Sequence, residues 1–408
     1  MQILFIHQNI PGQFKHLIAR MATMRDVQVW ALGEARRVRE NWSRAIPGVH
    51  LYGYAFTERP ADPVGSHVQT TEVNIRRGLA VVKSLQTLKS KGLNPDVIYG
   101  HPGWGEMLFV RDVFPRARIV NYCEFYFNSE GQDLGFDSEF PERESLRYEV
   151  RAQNMTQTQS LLAGDLGISP MHWQKSRYPE LFQQNIEVVF DGIDCDVVKP
   201  NPDAVFSLGE GKPSLTRQDE VVTFVNRNLE PLRGFHVFMR SLPELQKRRP
   251  KAHVIIVGGD GRSYSRPLAK GTYRELYCKE IDGQVDWSRI HFVGRVGYGQ
   301  YLRLLQVSTV HIYLSYPFVL SWSLFEAMAA QCSIVASNTA PVRELILDDV
   351  TGRLVDFFDG ASLIELVVHL CKNRSYARSL GVTAKKSIEE KYEFYSICFS
   401  KYKKIFGL

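Results

Sequence analysis

No CxxC pair occurs among the six cysteines, which stand scattered at Cys123, Cys195, Cys278, Cys332, Cys371 and Cys398. Metal-knuckle and thioredoxin-like readings fail without that spacing. Reduced thiols of a cytoplasmic protein are the expectation. A basic segment followed by a long apolar core is also missing at the start. Met1-Gln2-Ile3-Leu4-Phe5-Ile6-His7 reads as a buried strand, not a signal peptide. Charge is scarce between Leu304 and Val342, where Glu326 is the only formally charged residue. A membrane helix needs about 20 apolar residues. Pro317, His311 and the serines at 315, 321 and 323 interrupt this span. A strand, a loop and a buried helix in succession fit it better. An unpaired buried carboxylate is costly, so Glu326 is expected to meet a partner such as the hydroxyls of a ligand.

What is present is ordinary for a soluble globular chain. Of 408 residues, 44% are hydrophobic and 23% charged. The net charge of +6 permits anionic partners and selects none. The basic residues are not concentrated and no recognition motif appears, so no nucleic-acid partner is expected.

Short apolar runs alternate with helical spacing. Strands are expected at Gln2–His7, Val27–Leu32, Pro95–Gly100, Arg118–Tyr122, Leu166–Ile168 and Ile186–Phe190. Helices fit Gln13–Met24, Ala80–Lys89, Tyr148–Leu161 and His172–Tyr178. Glu124–Arg147 is acidic and aromatic without a period, and reads as an extended loop. Lys199-Pro200-Asn201-Pro202 and the polar run to Gln218 read as a linker. The alternation then restarts, with strands at Val221–Val225, His253–Val257, Ile290–Val293, Val310–Tyr313 and Ile334–Ala336. Helices fit Gly234–Arg248, Gly299–Gln306, Ser323–Ala330 and Pro341–Leu347. Such alternation predicts an α/β protein of doubly wound parallel sheets. The expected domains are 1–195 and 196–387, with a terminal helix at about 388–408 packed back on the first. Within Lys391–Leu408, an amphipathic helix would offer Lys401, Lys403 and Lys404 to an anionic membrane surface. Solvated lysines on a packed helix are the plainer reading.

Asn226-Arg227-Asn228-Leu229-Glu230-Pro231-Leu232-Arg233-Gly234 follows a strand and opens a helix. Two guanidiniums there suit a diphosphate, since they stay charged and fork onto phosphate oxygens. Ile256-Val257-Gly258-Gly259-Asp260-Gly261 comes next, then Glu326-Ala327-Met328-Ala329 and Thr351-Gly352-Arg353-Leu354-Val355. In this order the motifs resemble those of the retaining glycosyltransferases of family 4, which have the GT-B fold: two Rossmann-like domains facing a central cleft. The resemblance implies transfer of a sugar from a UDP- or GDP-linked donor to an acceptor hydroxyl, with no cofactor required. It implies that Arg227 and Arg233 hold the diphosphate and that Glu326 binds the ribose. Leu320, Ser321, Trp322 and Ser323 would meet the phosphates before the Glu326 helix. The Gly258-Gly259 turn, and Gly294 and Arg295 beside the nucleobase, would complete the donor side. Gly12 would approach the diphosphate, where a missing Cβ allows close contact, and His101 would reach the sugar.

Family members carry a first glutamate where this chain has Phe318, with Val319 and Ser321 beside it. Phe318 accepts no hydrogen bond, so the donor-sugar contact is expected to be lost, moved or replaced by apolar packing. Trp104 and Glu124 are the acceptor-side candidates. The acceptor class stays open between a glycan, a lipid-linked and a small molecule, and peripheral contact with the inner face of a membrane stays open with it. Asp194-Cys195-Asp196 has an Asp-x-Asp pattern, but its turn setting among prolines makes it a poor metal site, and no metal ligand is assigned.

Overall fold

The computed structural model describes residues 1–42, 46–57, 66–143, 145–211 and 213–408. It divides the chain into two compact units. Met1–Gly192 joins Phe394–Leu408 in the first, and Ile193–Glu393 forms the second.

The first unit is built on strands β1 (Gln2–Ile6), β2 (Gln28–Glu34), β3 (Val49–Tyr54), β4 (Val97–Gly100), β5 (Arg118–Tyr122), β6 (Leu166–Ser169) and β7 (Ile186–Val188). They pair in parallel in the order β3-β2-β1-β4-β5-β6-β7. Such strands are covered on both faces, which is why they read as unbroken apolar runs. Their period of two divides the side chains between two cores. Ile3, Phe5, Val29 and Tyr99 enter one, and Leu4, Ile6, Trp30 and Ile98 the other. The edge strand β3 was not anticipated, because only Tyr54 of its six residues is buried. The helix at Ser66–Ser90 is far longer than Ala80–Lys89. Its buried stripe of Val81, Leu85 and Leu88 lies in the last turns, while Val68, Ile75 and Leu79 are exposed.

The terminal segment is not one helix. One helix covers Arg374–Lys391, a π turn covers Phe394–Cys398, and a short helix covers Phe399–Phe406. Phe394, Phe399, Tyr402, Ile405 and Phe406 belong to the core of the first unit, with the Phe406 ring 5.4 Å from that of Tyr99. Lys401 and Lys404 are exposed, while the Lys403 ammonium lies 5.8 Å from the Phe399 ring centre. Among the described residues no helix is long and apolar enough to cross a membrane.

The stretch read as a linker carries a small antiparallel pair, β8 (Phe206–Ser207) with β9 (Ser214–Leu215). The second parallel sheet follows, with β10 (Val221–Asn228), β11 (His253–Gly259), β12 (Ile290–Gly294), β13 (Val310–Tyr313), β14 (Ile334–Ser337) and β15 (Arg353–Val355). Its order is β12-β11-β10-β13-β14-β15. Strand order therefore reverses at β1/β4 in one unit and at β10/β13 in the other. Ligands of such sheets bind outside the carboxyl ends at this reversal.

Candidate active site

In the first unit the reversal holds a histidine pair. Ile6 of β1 is in register with Gly100 of β4. The next residues, His7 and His101, therefore emerge side by side, with ring centres 5.7 Å apart. Each Nδ1 accepts a backbone N–H two residues on, from Asn9 at 2.9 Å and from Gly103 at 3.1 Å. The neutral form of either ring would thus carry its proton on Nε2. His101 Nε2 lies 3.3 Å from Glu124 Oε2, at the carboxyl end of β5. Gln13 donates to the other oxygen at 2.9 Å. Burial would push the Glu124 carboxyl up, but the His101 contact and the Gln13 amide hold it below its usual range. Burial, with His101 beside it, drives His7 down to about 3. Trp104 stacks on His101 with ring centres 5.5 Å apart. Gly12 has φ +46°, and a Cβ there would lie 3.2 Å from His7 Nδ1. Gly12, His101, Trp104 and Glu124 are therefore one cluster.

In the second unit the two arginines part company. Arg227 lies on β10 and points outward, exposed and without a side-chain partner among the described residues. Arg233 closes the next turn and is buried, with 8% of its surface exposed. Gly234 makes this possible: at φ +69° it turns the chain into the helix Phe235–Arg248, and a Cβ there would fall 2.3 Å from Leu314 Cβ. The Arg233 guanidinium donates to Ser315 Oγ at 2.8 Å, to Val319 O at 2.9 Å and to Tyr313 Oη at 3.2 Å. Its Cζ lies 5.6 Å from the centre of the Phe318 ring, which also packs on Tyr264 at 4.8 Å. Phe318 is buried in this apolar contact. Leu320 is buried beside it, and Ser321 caps the helix Trp322–Ala329 by accepting from the Ser323 N–H. The Ser321 N–H donates to Tyr313 Oη at 3.0 Å, and the Trp322 side chain is half-buried.

Glu326 has its first partners within the chain. Its two oxygens already accept hydroxyl protons from within the chain, from Tyr298 at 2.7 Å and from Tyr301 at 2.8 Å. These tyrosines lie one turn apart on the helix Tyr298–Val307. Burial, and then the Glu326 charge, push both phenols up. The carboxylate is therefore satisfied before any ligand arrives.

Gly258 and Gly259 end β11, and Gly294, at φ +63°, ends β12. Arg295 then folds over Gly259, whose Cβ would lie 2.9 Å from Arg295 Nε, and donates to Asn228 Oδ1 at 3.0 Å. The buried Glu230 accepts three successive N–H groups, from Ser263, Tyr264 and Ser265, at 2.9 to 3.2 Å. That carboxylate fixes the loop after Gly261. Asp194 Oδ1 accepts from the N–H groups of Asp196 and Val197, both at 3.1 Å, so it closes its own turn.

Sequence reasoning missed His7, Gln13, Asn228, Glu230, Tyr298 and Tyr301. Two signals were legible. His7 follows an apolar strand just as His101 does, and Tyr298-x-x-Tyr301 has the spacing of one helical turn.

Two doubly wound parallel sheets, each with polar side chains gathered where its strand order reverses, make this a protein of the GT-B fold. Anabaena HepE, solved with UDP and glucose, matches over all of both chains with a TM-score of 0.66 at 18% identity. Sucrose-phosphate synthase from Thermosynechococcus elongatus matches over 100% of this chain and 99% of that one, with a TM-score of 0.73 at 14% identity. At such identities the likeness is one of fold.

Residues 25–198 match the glycosyl transferase family 4 group, and residues 210–387 match the glycosyl transferases group 1. The chain belongs to this family of glycosyltransferases. An uncharacterized glycosyltransferase of Methanocaldococcus jannaschii is 24% identical over 226 residues, 55% of this chain and 53% of that protein. A phosphatidyl-myo-inositol mannosyltransferase of Mycolicibacterium smegmatis is 27% identical over 162 residues, 38% of this chain and 37% of that protein. The matches thus span about half or less of these relatives.

Proposed function

We propose that the protein moves a sugar from a nucleoside diphosphate to an acceptor hydroxyl, with retention at the anomeric carbon. The observation that carries this reading is the buried Arg233, held by Ser315 and Val319 in front of the helix that carries Glu326. The donor lies on the second unit, its diphosphate between Arg233, the exposed Arg227 and the N–H groups near Ser321 to Ser323. Its nucleoside extends past Gly259, Gly294 and Arg295 towards Glu326. The tyrosine hydroxyls already on Glu326 orient that carboxylate, and its remaining lone pairs face the ribose. The acceptor uses the first unit, near His101, Trp104 and Glu124.

In the reaction, the bond between the anomeric carbon and the diphosphate oxygen breaks and its electron pair leaves with the phosphate. The acceptor oxygen attacks from the same face, and its proton passes to the departing phosphate. Arg233 stabilises the charge that develops there, an effect worth about 3 kcal/mol for a well-placed donor. No protein nucleophile and no metal is assigned in this scheme. A UDP-bound GT-B structure such as that of HepE supports a uridine donor.

Thermal-shift titration with UDP, GDP, ADP and their sugars tests the donor, since a ligand of the native state raises apparent stability. The anomeric configuration of the product, read by proton NMR, tests retention. Nucleotide binding with neither transfer nor slow donor hydrolysis would favour a non-catalytic sugar-nucleotide binder. Interconversion of the donor sugar without an acceptor would favour an epimerase.

A further inference from the structure

A cavity of about 590 Å³ lies in the first unit, between the chain that leaves β5 and the helix Leu146–Leu162. It opens two residues beyond Glu124, at Tyr126. Two residues of chain span at most about 7 Å, so the cavity adjoins the His101 cluster. Its walls are tied down. The buried Asn154 donates to Phe127 O at 2.7 Å and accepts from Phe127 N at 3.2 Å. Tyr126 Oη lies 3.2 Å from Thr158 Oγ1.

Arg147 and Arg151 both line this cavity, one helical turn apart, and no described residue lining it is acidic. Neither forms a side-chain hydrogen bond or ion pair with another described residue. The nearby acid at the helix start, Glu149, is engaged by Arg143. Elsewhere in the unit, Arg76 is paired with Glu72 and Arg111 with Asp165. Like charges at i and i+4 repel, and cations near a helix N-terminus oppose its dipole. Among the described residues, this exposed positive pair therefore has no acidic partner, over a pocket of phenol, amide and hydroxyl groups.

We propose that this pocket takes an anionic acceptor sugar, with its carboxylate or phosphate between Arg147 and Arg151 and its neutral ring towards Tyr126 and Glu124. The proposal rests on the glycosyltransferase reading above, and it names the class of acceptor that reading leaves open.

Thermal-shift and calorimetric titrations with glucose 6-phosphate, glucuronate, glucose and inorganic phosphate test it, on the wild type and on R147Q/R151Q, with UDP as a separate titrant. Glucose 6-phosphate or glucuronate should bind more tightly than both glucose and phosphate. The double variant should weaken the sugar anion about tenfold or more, as expected for loss of charge-assisted bonds, and leave glucose unchanged. Equal responses to the sugar anions and to glucose, including none to either, would overturn the proposal. So would glucose 6-phosphate binding no better than phosphate, or a preference that survives in the variant. An unchanged UDP response shows that the variant is folded. A wild type that ignores UDP and the other nucleotides counts against the glycosyltransferase reading instead.

Discussion

Arg233 lies under the ring of Phe318, its Cζ 5.6 Å from the ring centre, while its N–H groups are held by Ser315, Val319 and Tyr313. The cation is fixed from its edge and covered on its face. Lysine could supply the charge but not the fork. Arg233→Ala should lower kcat tenfold or more, and Arg233→Lys should recover little of it, on the order of losses seen for transition-state charge stabilisers. Steady-state kinetics with a melting curve for each variant separate this from unfolding. Near wild-type turnover in either variant would contradict the assigned role.

Phe318→Glu would place a carboxylate beside that guanidinium. An ion pair there would compete with the bonds to Ser315 and Val319 and offer the donor sugar an acceptor it now lacks. Donor preference across a panel of nucleotide sugars should change. If preference and rate both stay at wild-type values, position 318 has no part in donor selection.

Glu326→Gln replaces two acceptors by one acceptor and one donor. One of the Tyr298 and Tyr301 hydroxyls would then face an amide N–H. A buried mismatch of this kind costs about 1–3 kcal/mol. Denaturant unfolding should show that loss, and UDP affinity should fall with it. Tyr301→Phe, at the more buried of the two tyrosines, should reproduce part of the affinity loss if it orients the carboxylate.

Gly234→Ala puts a Cβ 2.3 Å from Leu314 Cβ in a left-handed turn. Strain and overpacking together should cost at least about 2 kcal/mol. The same change moves Arg233, so donor affinity should fall even below the new melting temperature. A variant as stable as the wild type would mean that the turn relaxes freely.

His7 and His311 are buried and neutral, with burial holding them near about 3 and about 4, against an ordinary value of 6.5. Each stays unprotonated in the folded chain while its unfolded counterpart takes a proton below pH 6.5. Stability is therefore fully present above that pH and is lost as pH falls from 6.5 towards 4 and 3. The slope approaches about 1.4 kcal/mol per pH unit for each group. His7→Gln should flatten the acid limb of an unfolding-versus-pH curve, and an unchanged limb would remove His7 as its source.

The central strands were legible because covering both faces forces long apolar runs, and Arg118–Tyr122 and Val310–Tyr313 fall where those runs do. The edge strand β3 was not, since one buried residue leaves no pattern. The division between Arg227 and Arg233 was hidden for a related reason. β10 continues to Asn228, so alternation turns Arg227 out and Asn228 in, whereas Arg233 is brought inward by the turn at Gly234. His101 could be picked out by its place after a strand. Its pairing with His7 depends on register between strands far apart in sequence, and the tyrosine ties on Glu326 depend on packing between two helices. Neither is written in local spacing.

The return of Phe394–Leu408 to the first unit has a consequence for synthesis. The first unit cannot close its core until residues 394–406 are made. Until then Phe5, Phe14 and Tyr99 await the aromatic side chains from Phe394 to Phe406. A nascent chain that has already folded its second unit therefore still carries an unfinished first one, and that exposed apolar surface is where a chaperone would act.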